Sequence, residues 1–309
     1  MKTIDIETNT AASKEDLLRI RLSDKQSILA EIETLALGPL WDYFLKNQVQ
    51  LYFDQEKEYF SQEDWWRQAQ SVLEIGSGNG EYLSRMSRTF TNKKYLGMEK
   101  TKELVQTTNM RFQKDENITF IEGDAQVFNE SLVESYDVII FRFLLQHLQN
   151  PMAAIDHAHR YLKPQGSILI IDICDSFRKT SHPIPYFDAI IRILNERNKQ
   201  FSLGNRLISS QILRSLKNDQ APLAQQFDLC FSNIDECGNP HINQPIQYLT
   251  QKERTLHFNH LLHIYEILKK GPWQIPVDLS RAYDELRIFL DSEQAWVRSG
   301  EHVLVLRKK

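Results

Sequence analysis

The sequence predicts an α/β fold built on a parallel sheet. Three observations predict it. Strand-like and helix-like patterns alternate from Ser71 to Asp175, which implies parallel strands joined by right-handed crossovers. The segment YDVIIFRF (136–143) is almost wholly apolar, as a central strand covered on both faces must be. Three alternate glycines, Gly76, Gly78 and Gly80, directly follow the first apolar strand; they mark a sharp turn where a ligand can approach without a Cβ in its way.

The elements follow in order. Residues 1–12 are polar and read as disordered. From Ser13 to about Gln70 the pattern is helical, and WDYFLKNQVQLYFDQEKEYF is unusually aromatic. That stretch is either a buried amphipathic helix or an N-terminal lid over a ligand site. SVLEIGSG is the first strand and its turn, GEYLSRMSRTF a helix, KKYLGMEK a second strand. TKELVQTTNMRFQK is a second helix with Thr101 as N-cap. NITFIEGDA and YDVIIFRF are the third and fourth strands, and PMAAIDHAHRYL is a helix opening on Pro151. KPQG is a turn and SILIIDICD a fifth strand. Residues 176–226 and 238–296 carry helical patterns, with the strand FDLCFSNID between them, and GEHVLVLRKK is a final strand.

Composition narrows the function. The hydrophobic fraction of 41% and charged fraction of 25% are those of a globular protein. A net charge of −4 over 309 residues argues against a nucleic-acid partner, and Arg307-Lys308-Lys309 is too short a basic tail to change that. No apolar run approaches the roughly 18 residues of a membrane span, and the N-terminus lacks a signal-peptide core. Cys174, Cys230 and Cys237 are odd in number and widely spread, which fits a reducing cytoplasm.

The chemistry lies in VLEIGSGNG. A dinucleotide turn, G-x-G-x-x-G, would place glycine at 81, where this chain has Glu81. Glu74, two residues before Gly76, would repel a pyrophosphate but suits a ligand carrying a cation. Backbone N–H groups at the start of the next helix are expected to face the ligand. Glu99, at the end of the second strand, can accept both hydroxyls of a ribose. Asp124 follows the third strand and can accept from the amine of an adenine. Phe141 and Arg142 end the fourth strand, on the ligand side of an open α/β sheet.

Together VLEIGSGNG, YLGMEK, FIEGDA, YDVIIFRFLLQHL and RYLKPQGSILIIDICD resemble, in order and spacing, the class I S-adenosylmethionine-dependent methyltransferases. The likeness covers about residues 70–175, with family-like ends at 227–236 and 300–307, and is nearest the small-molecule branch. It implies a Rossmann-like, seven-stranded, mostly parallel sheet with an antiparallel last strand. It divides the chain into a helical N-terminal lid (1–70) and a methyltransferase domain (71–309) with helical cap insertions at about 176–226 and 238–296. The cofactor implied is S-adenosyl-L-methionine, and the partner a small-molecule methyl acceptor. Glu74, Gly76, Ser77, Gly78 and Gly80 would surround the cofactor's amino acid part. Glu99 would hold the ribose with Lys100 nearby, Asp124 and Ala125 the adenine, and Phe141 and Arg142 the methionine side. The family's K-P-G-G turn is Lys163-Pro164-Gln165-Gly166 here, a departure expected to alter only turn geometry.

Catalysis by such a protein is mainly positioning. A hydroxyl acceptor would usually need a base, and His147, just past the fourth strand, is the first candidate; it could equally pack or cap a helix. His157 and His159 read as structural. His257, His260 and His263 share a helix, but the third rotates away from the first, so a polar helix face or pocket wall fits better than a metal site. Tyr186, Phe187, Tyr248, Tyr265, Trp273 and Tyr283 are either core or the lining of an acceptor pocket. Two other functions share parts of the pattern: an NAD-dependent oxidoreductase, opposed by Glu74 and the glycine spacing, and a non-catalytic cofactor-binding scaffold.

Overall fold

The computed structural model describes residues 25–175, 177–235, 247–298 and 300–309. The readings of residues 1–24, of 238–246 and of Cys237 lie outside them. Among the described residues three helices come first: α1 (Lys25–Thr34), α2 (Leu37–Glu58) and α3 (Asp64–Gln68). The alternating region follows as β1 (Ser71–Ile75), α4 (Glu81–Thr89), β2 (Lys94–Glu99), α5 (Lys102–Arg111), β3 (Ile118–Glu122), β4 (Tyr136–Arg142), α6 (Pro151–Tyr161) and β5 (Leu162–Ile173). The remainder comprises β6 (Lys179–Thr180), α7 (Pro185–Phe201), α8 (Ile208–Leu216), α9 (Pro222–Gln226), β7 (Phe227–Ser232), α10 (Gln251–Lys270), α11 (Leu279–Asp291), β8 (Val297–Arg298) and β9 (Glu301–Lys308).

Seven strands form one sheet in the order β3-β2-β1-β4-β5-β9-β7. The pairs among β1 to β5 are parallel, whereas β9 runs antiparallel to both β5 and β7. The fold is therefore the Rossmann-like, mostly parallel sheet with an antiparallel last strand that the sequence implies. The small β6–β8 ribbon carries no sequence signal, because two residues per strand are too few for a periodic pattern.

Alternation along the strands sends side chains to two separate cores. Leu73, Ile139, Phe141, Ile168, Ile170 and Leu304 face α6 and α8. Val72, Val138, Ile140, Leu169, Ile171 and Val303 face α2 and α4 together with Phe53, Phe60 and Trp66. A third core, away from the sheet, unites α1, α7, α10 and α11. Tyr186, Tyr265 and Tyr283 belong to it, while Tyr248 is exposed.

Local signals fix the helix ends. Asn150 accepts from the Ala153 N–H at the start of α6, where Pro151 takes a first-turn position that needs no donor. Thr250 and Glu253 form a reciprocal capping box on α10. Thr101 occupies the N-cap of α5 as expected, but its side chain makes no cap bond; its own N–H donates to Glu99 Oε1 at 3.0 Å. The KPQG segment continues into β5 instead of standing apart as a turn. Gln165 there sits at φ +63°, a left-handed conformation that costs a residue with a Cβ.

Candidate functional site

A cavity of about 420 Å³ opens above the carboxyl ends of β1, β2 and β4, beneath α2, α7 and α10. Its sheet wall contains Glu74, Gly76, Ser77, Gly78, Glu99 and Arg142, with His147 beside them on the short 3-10 turn Leu145–His147. Seven of the sequence-derived candidates thus share one cavity.

Glu74 lies on the α2 face of the sheet with Val72. Oε2 is buried and accepts no hydrogen bond from any described residue. Burial pushes this carboxyl up to about 8; Arg142 opposes the shift, while Glu56 and Glu99 add to it. Ser77 Oγ is likewise buried without a partner. Two such orphaned groups on a cavity wall await a polar ligand, because leaving them unmet costs about 1–3 kcal/mol each.

The glycine turn works differently from expectation. The N–H groups of Gly76 and Ser77 both bond to the Met98 carbonyl, Gly78 N–H donates to Glu99 Oε2 at 3.2 Å, and Gly80 N–H bonds to the Ser77 carbonyl. The Glu81 N–H at the helix start goes to Asn79 Oδ1. These donors serve the protein, so what the turn offers a ligand is the bare Cα surface. Gly78, at φ +53°, has only Leu45 of α2 within reach of an added Cβ. Gly80 does not line the cavity: at φ +72° an added Cβ would strike Thr108 and Phe120 at 2.5 and 2.7 Å. The third glycine is required by packing.

Four other candidates also lie off the cavity wall. Phe141 and Arg142 are neighbours on β4 and so point to opposite faces; Phe141 is fully buried in the α6–α8 core, and the next residue, Phe143, lines the cavity instead at φ +51°. Ala125 is buried, and its carbonyl meets His157 Nδ1 at 3.1 Å. Asp124 sits at the rim beside Glu99, since the Gly123 N–H bonds to the Glu99 carbonyl. It accepts from Lys100 Nζ at 2.9 Å and from Gln126 N–H, and both bonds hold its carboxyl below the usual range. Lys100 is otherwise exposed.

Arg142 is tied to the N-terminal helices. Its Nε donates to both carboxylate oxygens of Glu56 at 3.0 Å, a terminal nitrogen reaches Oε1 at 2.8 Å, and the other donates to Gln48 Oε1. Glu56 is 0% exposed. The guanidinium also lies over the Tyr82 ring. Asn79 of the glycine turn adds a second tie, to Asp42 of α2 at 2.8 Å.

The opposite wall is the cap. Leu194, Ile191 and Phe187 of α7, Leu261, Ile264 and Leu268 of α10, and Trp273 line it. His257 and His260 face the same space, whereas His263 stacks on Tyr43 outside it. Burial holds His257 down to about 4, and the surrounding protein with the Arg206 charge also lowers His147. The His147 side chain is exposed and lines the cavity. Sequence reasoning missed Arg178 and Arg206, which come from distant segments without a local motif, and did not single out Gln48 and Tyr52 within the aromatic N-terminal segment or Phe143 within YDVIIFRF. Among the described residues no cluster of three metal-binding side chains occurs, and no helix is long and apolar enough to cross a membrane.

Comparison with known proteins fits this geometry. Residues 67–201 match a family model described as a methyltransferase domain. A malonyl-(acyl-carrier protein) O-methyltransferase of Paenibacillus sp. (strain JDR-2) is 26% identical over 101 residues, which are 32% of this chain and 37% of that protein. The uncharacterized methyltransferase YcgJ of Bacillus subtilis (strain 168) is 31% identical over 106 residues, 33% of this chain and 40% of its own. The chain therefore matches about two fifths of the length of these curated relatives. The solved structure of geranyl diphosphate C-methyltransferase from Streptomyces coelicolor A3(2) aligns with 84% of this chain and 78% of its own at 11% identity, with a TM-score of 0.46. The alternating region of this chain is a class I S-adenosylmethionine-dependent methyltransferase domain, and S-adenosylmethionine is the cofactor of that class.

Proposed function

We propose that this chain transfers a methyl group from S-adenosylmethionine to a small molecule held under the helical cap. One observation carries the reading: a single cavity has the glycine turn, Glu74 and Glu99 on one wall and an apolar helical wall opposite. When bound, the cofactor supplies the methyl group on an already activated sulfonium.

The residues then have separate tasks. Glu74, buried and lacking a donor, is suited to the cofactor's ammonium, with Ser77 Oγ as a further polar contact. Gly78 leaves room for the amino acid part. Glu99 meets the ribose, and Asp124 at the rim meets the adenine, with Lys100 and Ala125 alongside. Arg142 acts indirectly by fixing α2 over the sheet through Glu56, and residues 1–70 serve as the lid of a domain spanning 71–309. The insertions at 176–226 and 238–296 form the acceptor cap and exclude water from the reacting atoms. For a hydroxyl acceptor His147 is the candidate base because it lines the cavity just past β4; its lowered pKa leaves the ring neutral at pH 7 but makes it a weak base. Cytoplasmic small-molecule biosynthesis, natural products included, is the setting this reading implies.

Calorimetry with S-adenosylhomocysteine, followed by transfer of label from methyl-labelled cofactor to an acceptor, tests it. Binding of NADH with no binding of S-adenosylhomocysteine would overturn it. A His147→Ala variant with full activity and an unaltered pH–rate profile would remove His147 as base.

A further inference from the structure

The acceptor side of the cavity has a charge pattern of its own. Three arginines line the cavity, Arg142 on the sheet wall and Arg178 and Arg206 elsewhere, and each is met by a carboxylate. Arg142 is bound by Glu56. Arg178 pairs with Asp188 through one terminal nitrogen, and its buried Nε has no hydrogen bond to any described residue. Arg206 holds Asp175 through two nitrogens at 2.6 and 2.8 Å. No lysine among the described residues lines the space, while Glu74 and Glu99 on the sheet wall favour positive ligands. An anionic acceptor would find no free cation among the described residues, and desolvating it there would be costly.

Besides Arg178 Nε, a second buried polar atom on this side lacks a partner, and it belongs to an uncharged ring. His260 is 4% exposed, and its Nδ1 is buried with no hydrogen bond to any described residue. The ring is held firmly: it stacks on Phe44 with centroids 4.5 Å apart and planes 13° from parallel, and the Tyr52 ring meets it edge-on at 5.9 Å. The Phe44 backbone also hydrogen-bonds with the ring, while Nδ1 itself makes no bond of normal geometry to any described residue. A fixed ring with an unmet nitrogen on a cavity wall is built to meet one group on a ligand.

We infer that the acceptor is an uncharged, largely apolar molecule bearing one hydrogen-bonding group, and that His260 Nδ1 orients that group. The inference rests on the methyl-transfer reading and narrows its substrate class. His260 is a positioning residue, so its loss should weaken acceptor binding and leave cofactor binding unchanged.

The test uses the full chain saturated with S-adenosylhomocysteine at pH 7.5 and three probes of one ring skeleton: 2-naphthol, naphthalene and 2-naphthoate. Equilibrium dialysis should show 2-naphthol binding about tenfold more tightly than naphthalene, the worth of one hydrogen bond, and 2-naphthoate binding weakest. His260→Phe keeps the stacked ring and should reduce 2-naphthol to the level of naphthalene. His260→Asn, which keeps a polar atom near the Nδ1 position, should retain most of the preference, and it serves as the reading should His260→Phe fail to fold. The inference is overturned if 2-naphthoate matches 2-naphthol, if His260→Phe leaves 2-naphthol binding unchanged, if a folded His260→Asn loses the preference, or if no probe binds the loaded protein. Failure of the wild-type chain to bind S-adenosylhomocysteine at all would instead strike the methyl-transfer reading.

Discussion

The two walls of the cavity are made in different ways. On the sheet wall, Glu74, Gly76, Ser77 and Gly78 come from one short segment, and Glu99 reaches it across the β1–β2 ladder. Hydrogen-bond registry between β1 and β2 sets their spacing. On the cap wall, side chains from positions 41–52, 184–198 and 257–273 meet largely through apolar packing, supplemented by polar ties such as the 2.9 Å bond from Trp273 Nε1 to Asn198 Oδ1. The comparison teaches that binding geometry fixed by a ladder is written locally, whereas geometry fixed by packing is distributed over the chain and free to vary.

The largest effect expected is at the junction of the two walls. Glu56→Ala leaves the Arg142 guanidinium buried without its partner, so urea unfolding should show a loss of about 3–5 kcal/mol. A loss under 1 kcal/mol would mean that the N-terminal helices are not anchored through this pair. Next come the glycines, which separate binding from folding within one turn. Gly78→Val should weaken S-adenosylhomocysteine binding about a hundredfold or more in calorimetry, since both the φ and the open space are lost. Gly80→Ala should cost about 2 kcal/mol of stability through its clash with Thr108 and Phe120. If the two variants behave alike, the assignment of separate tasks within the turn fails.

Glu74 gives a smaller, pH-dependent effect. Its folded-state value near 8 lies above the ordinary 4.5, so the folded protein holds a proton there that the unfolded chain releases. The associated stability is present below about pH 4.5 and is lost as pH rises toward 8. A cationic ligand that needs the carboxylate must expel this proton. Calorimetry near pH 7 in buffers of differing ionisation enthalpy should therefore show proton release on cofactor binding, absent in Glu74→Gln. Equal proton release in both would detach Glu74 from the ligand. The smallest effect belongs to a site remote from both walls: Gln165→Gly should raise stability by about 1 kcal/mol by relieving its left-handed backbone.

Much of the sheet was legible in the sequence for the reason the comparison gives. The five apolar strands with their helices, and the glycine turn, follow from periodicity and short motifs, and all five strands appear where those patterns lie. The turn's hydrogen bonds were not legible, because the carbonyl of Met98 and the carboxylate of Glu99 reach it from another strand. Phe141 was misplaced by treating a strand end as a point; the alternation of side chains sends it away from Arg142. Glu56 gave no signal as the partner of Arg142, since the two are 86 residues apart. The histidines of α10 were legible as a helix face, but which of them meets the cavity depends on where α2 lies against α10. The KPQG departure was visible, though the strain at Gln165 needs the backbone angle to be seen.

The placement of β9 reaches beyond the binding site. It enters the sheet between β5 and β7, after the cap helices in chain order. During synthesis the ribosome therefore delivers β5 with a bare, apolar margin that stays open until some 130 further residues have emerged. β7 arrives with nothing beside it to pair with. The nascent protein must shelter that margin throughout this interval, and truncated or stalled products ending before residue 301 present a sticky ledge that invites self-association.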